Sequence, residues 1–385
     1  MVNSAQVLTV SSSNPCIPST PIISSEMRSL RDPRSNALDD PKVIASLPRY
    51  VDVVKGNRLA KFVIARGFQV DFDDASTSDL WSLHARSLEG YLKYDEALNA
   101  GEIELDTPDS SFLDLKVELG KRIMESCHLC ARRCGVDRSS DETGYCRCSD
   151  DFAYSSCFTH LGEEPELVPS GTIFTCGCTI RCIHCQNWQI SQWREAGDAM
   201  TPEGMAKIVE VLRRHGCWNI NMVGGDPTPN AWLWLRTMHG VTKSIATVWN
   251  SNSYYSTETA QLLAGFIDLY LLDFKYGNNR CAEEISDAPG YWEECTRNHL
   301  MAKRYGELLI RVLVLPSHNE CCTGPIINWI AENLGPMTRV NLMFQYRPEW
   351  RAGEREELRR RLTRAEIQEA LDMARDAGLV NLVRG

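Results

Sequence analysis

The chain has 385 residues, 41 of them Lys or Arg and 51 Asp or Glu, giving a formal net charge of −10. With 43% hydrophobic and 24% charged residues it has the make-up of a folded globular protein, and no run nears the roughly 18–20 apolar residues that cross a bilayer. The acidic balance argues against a broad phosphate-gripping surface, and so against wide nucleic-acid binding. The 16 cysteines are the unusual feature. A secreted disulfide scaffold would be shorter and would begin with a basic segment followed by an apolar one, which residues 1–10 lack. A reducing cytoplasm with metal-bound thiolates is therefore the expectation.

In chain order, residues 1–41 are rich in Ser, Thr and Pro without an apolar period and read as a disordered lead. Residues 42–123 read as a helical flank with no chemistry of its own, Leu80, Leu83 and His84 sharing one face and Phe112, Leu115 and Leu119 another. Residues 124–169 form a Cys-rich, metal-binding segment. There His160-Leu-Gly-Glu-Glu-Pro165 reads as a solvated turn, with a place at the mouth of a site as the other option.

From residue 170 to 385 the pattern repeats. Extended runs at Gly171–Cys176, Asn219–Val223, Ile245–Trp249, Phe266–Leu272, Leu308–Leu315 and Val340–Gln345 alternate with helical stretches. The first helix has Thr201 as cap, Pro202 at its first position and a stripe at Met205, Ile208, Val209 and Leu212. Others are expected near Ala231–Met238, Thr257–Leu263, Cys281–Tyr305 and Pro325–Asn333, and the last opens on the capping box Thr363-x-x-Glu366 and stops at Gly378. Six strand–helix units imply an α/β fold with a parallel sheet, as an open doubly wound sheet or a partial barrel. In either, the site lies at the C-terminal strand ends, where the cysteine loop, Gly224-Gly225-Asp226, Asn250-Ser251-Asn252, Asp273-Phe274-Lys275 and Gln345-Tyr346-Arg347 all fall.

Cys178-x3-Cys182-x2-Cys185 offers three soft ligands within eight residues, which suits an iron–sulfur cluster or zinc. A closed zinc site wants a fourth ligand, for which His184 and Cys176 are available by count, although His184 lies awkwardly between two of the cysteines. Upstream, Cys127-x2-Cys130-x3-Cys134-x11-Cys146 supplies four thiolates, a closed set for zinc or for an iron–sulfur cluster, with Cys148 and Cys157 as alternatives to Cys146.

The string Gly171-Thr-Ile-Phe-Thr-Cys-Gly-Cys-Thr-Ile-Arg-Cys-Ile-His-Cys-Gln-Asn187 resembles the cluster motif of the radical S-adenosylmethionine (SAM) enzymes. More narrowly, it is similar to the pyruvate formate-lyase activating enzyme-like branch, whose reactions are largely unassigned. The resemblance covers about residues 127–385 and implies a partial (β/α)6 TIM-type barrel behind a mostly helical, Cys-rich N-terminal extension. It implies that Cys178, Cys182 and Cys185 hold a 4Fe–4S cluster whose fourth iron binds SAM. It also implies that Gly224, Gly225 and Asp226 lie at the methionyl amine, with Asp226 in place of the usual glutamate. Asn250 and Asn252 would lie at the ribose, Lys275 at the SAM carboxylate, and Gln345, Tyr346 and Arg347 towards substrate. His184 stands where the family usually carries an aromatic or bulky apolar residue near the adenine. The reaction implied is reductive cleavage of SAM to a 5′-deoxyadenosyl radical that takes hydrogen from an unidentified substrate, with flavodoxin or ferredoxin as electron donor. Two other readings remain: an activase that acts on a glycyl-radical partner protein, and a non-catalytic zinc or iron–sulfur binding module.

Overall fold

The computed structural model describes residues 37–383, so nearly all of the Ser/Thr/Pro-rich lead lies outside the described residues. Eight strands form one sheet: β1 (Phe152–His160), β2 (Ser170–Thr175), β3 (Asp198–Met200), β4 (Asn219–Met222), β5 (Ala246–Ser251), β6 (Leu269–Asp273), β7 (Glu307–Leu313) and β8 (Arg339–Met343). Their order is β3-β1-β2-β4-β5-β6-β7-β8. From β2 to β8 every neighbouring pair is parallel, because a helix carries the chain back between successive strands. These six are the strands anticipated from the sequence. The sheet is open, ending in β3 and β8, and forms a partial (β/α)6 barrel.

Contacts inside the sheet reveal its curvature. β4 and β8 are four strand spacings apart, about 19 Å if the sheet were flat. Yet Glu163 accepts from Asn221 Nδ2 of β4 at 3.1 Å while the adjacent Glu164 accepts from Asn341 Nδ2 of β8 at 2.7 Å. Two consecutive side chains reach both only because the strands wrap around them.

Two strands were not foreseen. β1 runs antiparallel to β2, with Cys157 opposite Ile173, and β3 runs antiparallel to β1, with Ala199 opposite Ala153. The sequence of β1 is broken by Ser155, Ser156 and Thr159 and irregular at its bulge, and β3 has three residues, too few for a period. The helical stretch expected after β6 is divided into two helices, Asn279–Ser286 and Tyr291–Tyr305, separated by the left-handed Asp287 and Gly290.

The flank is helical and is fastened to the N-terminal side of the barrel. Glu307, the first residue of β7, accepts the backbone N–H groups of Arg49 and Tyr50 at 2.6 and 2.7 Å, at the start of helix Pro48–Lys55. Helices Thr77–Ala100 and Phe112–Glu125 pack together, and the second buries Lys116. Lys116 Nζ donates to the carbonyls of Leu262 and Ala264 at 3.1 and 2.7 Å, satisfying the end of helix Thr257–Leu263. Among the described residues no helix is long and apolar enough to cross a membrane.

Candidate functional site

Parallel strands deliver their C-terminal ends to one face, and the cysteine loop, Gly224-Gly225-Asp226, Asn250–Asn252 and Asp273–Lys275 meet there. The cysteine loop is stitched in place by its backbone: Arg181 N and Ile183 N donate to Ser286 O and Ile285 O at 2.7 and 3.0 Å, and the Arg181 guanidinium donates back to Cys178 O at 2.8 Å. Cys178 and Cys182 are buried and Cys185 is half-buried. Asn252 Nδ2 lies 3.5 Å from Cys178 Sγ and donates to Thr179 Oγ1 at 2.9 Å, while Cys185 Sγ is 3.1 Å from Ser191 Oγ. Burial pushes the thiols up, Cys178 far and Cys182 to about 11. Lys275 Nζ stands 2.7 Å from Asp273 Oδ2. Burial opposes its charge, but Asp273, Cys182 and Cys185 outweigh that and hold its pKa above the usual lysine value.

Cys178, Cys182 and Cys185 bring three thiols to a single loop at the strand ends. Three soft donors on one short loop are a donor set that fits an iron–sulfur cluster.

The two glycines serve close approach. Gly224 has φ +73°, and a Cβ there would stand 2.9 Å from Thr175 O; a Cβ on Gly225 would stand 2.8 Å from Ser191 Cα and overlap Gly177 O. The backbone bonds Gly225 N to Thr175 O at 2.7 Å and Asp226 N to Gly177 O at 3.0 Å, so the end of β4 is clamped to the cysteine loop. Asp226 is buried and accepts from Thr228 N, Ser251 Oγ and Asn252 N at 2.9, 3.0 and 2.8 Å. Its carboxylate ties β4 to the end of β5, and burial raises its pKa despite these donors.

Some expected residues lie elsewhere. Asn250 points into the barrel, 3.4 Å from Arg311. Tyr346 turns inward, its hydroxyl donating to Leu358 O at 2.7 Å, while Gln345 and Arg347 are exposed and Arg347 pairs with Glu349 at 2.8 Å. His184 meets Tyr276, its Nε2 3.2 Å from Tyr276 OH and its ring edge-on to Tyr346. Burial, helped by Lys275, pushes its pKa down to about 3, so the ring is neutral.

The Glu163-Glu164 turn is a correction to the sequence reading. It is not solvated: the loop after β1 folds under the barrel and both carboxylates close on Arg311 of β7. Arg311 Nε donates to Glu164 Oε1 at 2.7 Å and its terminal nitrogen to Glu164 Oε2 at 2.6 Å and to Glu163. Burial opposes the Glu164 charge, but Arg311 and Asn341 hold its carboxyl below the usual range. The sequence signal that the reading passed over is an arginine in the middle of the apolar run Leu308-Leu-Ile-Arg-Val-Leu313.

The upstream cysteines also come together. Cys127, Cys130, Cys134 and Cys146 lie close enough for their charges to act on one another. The turn between them closes through Cys127 N to Val136 O and Gly135 N to Cys127 O, both at 2.9 Å, and Gly144 leaves the space that Cys134 Sγ fills. Arg138 is fully buried beside Cys127 and Cys146 and donates to Pro229 O at 2.6 Å. Cys148 lies against Cys146 and reaches Cys176 O at 3.6 Å, whereas Cys157 sits within β1. Tyr145 lies between the guanidinium groups of Arg132 (3.7 Å) and Arg181 (4.2 Å), one from each cysteine segment, so the two groups share a wall.

Comparison with known proteins gives a match to the radical SAM superfamily model over residues 172–330. The uncharacterized protein MJ0674 of Methanocaldococcus jannaschii is 44% identical over 336 residues, which is 85% of this chain and 96% of the relative. MJ0808 of the same organism is 25% identical over 252 residues, covering 58% and 71%. Among solved structures, Streptococcus suis SuiB bound to S-adenosylmethionine matches with a TM-score of 0.38 and 14% identity over 52% of this chain and 44% of SuiB. TYW1 with a lysine–pyruvate adduct matches with a TM-score of 0.37 and 16% identity over 54% and 73%.

Proposed function

This chain belongs to the radical SAM superfamily, and from that premise we propose that it cleaves SAM with one electron and uses the resulting radical to take a hydrogen atom from a substrate. The observation that carries the reading is the set of three thiols on one loop at the C-terminal mouth of the parallel strands, backed by Asn252 and Lys275. Cys178, Cys182 and Cys185 would hold a 4Fe–4S cluster, leaving one iron for SAM. When bound, that cluster supplies a low-potential electron to the sulfonium, whose C–S bond breaks to give the 5′-deoxyadenosyl radical.

The chain's own residues position and enclose. Gly224 and Gly225 present bare backbone beside the cysteine loop, the place in the family for the methionyl amine. Asp226 acts at one remove, fixing Ser251 and Asn252. Asn252 donates towards the Cys178 sulfur, and Asn250 faces the barrel interior. Lys275 offers a charged ammonium to the SAM carboxylate. The buried set of Arg311, Glu163 and Glu164 forms a polar floor under the mouth and keeps bulk water from a radical formed above it. Cys127, Cys130, Cys134 and Cys146 would hold a second cluster or a zinc ion. An external donor such as a flavodoxin or ferredoxin would supply the electron.

Oxygen-free reconstitution followed by iron and sulfide analysis tests this. The expected result is iron bound in a Cys178-, Cys182- and Cys185-dependent manner and release of 5′-deoxyadenosine when SAM and a strong reductant are added. Iron-free protein, or deoxyadenosine release that survives Cys178→Ala, would overturn it.

A further inference from the structure

A third set of soft ligands lies outside both cysteine groups. Cys281 opens the helix after β6, and His318 and Cys321 lie in the turn after β7; their ligand atoms all fall within 4.8 Å of one another, the one such set among the described residues. Cys281 Sγ and Cys321 Sγ are 3.9 Å apart. In a tetrahedral zinc site with Zn–S bonds of about 2.3 Å, two sulfurs stand about 3.8 Å apart. The sulfurs therefore already have the separation that a single zinc ion imposes.

The histidine is oriented for the same task. His318 is buried, and its Nδ1 is 2.7 Å from Pro316 O. A carbonyl oxygen only accepts, so that nitrogen carries the proton and Nε2 keeps its lone pair for a metal. The backbone is shaped around the cluster too. Residues Asn319–Thr323 form a π-helical turn, and the loop after β6 presses on it so closely that a Cβ at Gly277 would meet Cys321 O and Cys322 O at 2.8 and 2.7 Å. Asn278 Nδ2 donates to Cys321 O at 2.8 Å and lies 3.3 Å from Cys281 Sγ, bonding the two loops that carry the ligands. A cavity of about 530 Å3, lined in part by Cys281, His318 and Cys321, opens beside them. Its two arginines are matched by two carboxylates, Arg280 pairing with Glu284 at 3.3 Å and Arg355 with Glu357 at 2.6 Å and Glu284 at 3.0 Å, so no uncompensated cation repels a metal ion there.

The geometry points to a mononuclear Zn2+ site held by Cys281, His318 and Cys321, with its fourth position open to the cavity. Binding replaces the two thiol protons, which leave to solvent, so that two thiolates and a neutral imidazole carry the ion with no net charge and no change of oxidation state. Cys322, whose Sγ is 3.9 Å from that of Cys321, lies outside the ligand set. The site stands at the same end of the barrel as Cys178, Cys182 and Cys185. Tyr276, on the loop that leads from β6 to Cys281, meets His184 of the cysteine loop through its hydroxyl at 3.2 Å.

Metal analysis of the full-length protein, purified without oxygen and loaded with zinc and iron, tests the assignment. Wild type should carry one more equivalent of zinc than Cys321→Ser, with equal iron in both; any zinc held by Cys127, Cys130, Cys134 and Cys146 is common to the two proteins and cancels. Cys321 is exposed, so this variant should fold. His318→Gln should lose the same equivalent and Cys322→Ser should keep it. Cobalt-loaded wild type should show thiolate charge-transfer and tetrahedral d–d bands that Cys281→Ser weakens. Equal zinc in wild type and Cys321→Ser, a Cys281–Cys321 disulfide in the oxygen-free protein, or iron lost together with the zinc would overturn the site. Loss of zinc in Cys322→Ser would overturn its open position. Iron analysis separates these outcomes from failure of the cluster reading, because the two depend on different cysteines.

Discussion

Replacing Arg311 by Met tests whether the buried ionic set under the mouth is as tightly balanced as its geometry implies. The substitution keeps the aliphatic stem but removes the cation that meets Glu164 at 2.6 and 2.7 Å and also meets Glu163. Side-chain exposure is 2% for Glu164 and 8% for Glu163, so water cannot take over. A unit-charge pair about 4 Å apart interacts with about 4 kcal/mol at an effective dielectric of 20, and removing one partner of a buried pair costs about 3–5 kcal/mol. That range is the expected loss at pH 7, read by urea unfolding of oxygen-free protein. The pH dependence has a definite sign. Without Arg311 the buried Glu164 carboxyl titrates above its unfolded value, so the protonated form steadies the fold at low pH and this contribution fades as pH rises through the shifted pKa. The deficit against wild type should therefore grow between about pH 5 and pH 8. Adding Glu163→Gln and Glu164→Gln to R311M removes the stranded charges and should restore most of the loss. A deficit of R311M below about 1 kcal/mol, or one that does not vary with pH, would refute the reasoning.

Three further outcomes are expected. Gly225→Ala would drive a methyl group into Gly177 O and Ser191 Cα, so iron retention by the cysteine loop should fall several-fold; unchanged iron content would count against the clamp between β4 and that loop. Asn252→Ala removes the donor 3.5 Å from Cys178 Sγ, so iron content should hold while the cluster's midpoint potential becomes more negative, and an unmoved potential would show that the contact is idle. Burial raises Glu307 from 4.5 to about 7 although two backbone N–H groups oppose the shift. Its folded pKa exceeds the unfolded one, so its contribution is complete below about pH 4.5 and fades as pH rises through 7. That rise corresponds to about 3 kcal/mol of stability lost relative to Glu307→Gln across the window, and a flat difference in denaturant midpoints would contradict it.

The local rules of the chain were legible wherever one element could be read from its own residues. The six parallel strands, the Thr201 and Thr363 caps, the helix Thr257–Leu263 and the stop at Gly378 follow from apolar period and capping chemistry, which act within a few residues. The cysteine spacings were likewise sufficient to mark two groups. The partner of each polar group was not legible, because a sequence does not say what lies across a curved sheet. Glu163-Glu164 has the composition of a solvated turn; only the wrapping of β4, β7 and β8 around it makes Arg311 and Asn341 its surroundings. Cys281 lies about forty residues from His318 and Cys321, and the three meet because β6 and β7 are neighbours in register. Thus the sequence alone determined which elements form and which side chains bring soft ligands or charge. Tertiary structure decided which of them meet, because a meeting depends on strand order and sheet curvature, properties of the whole sheet rather than of any segment.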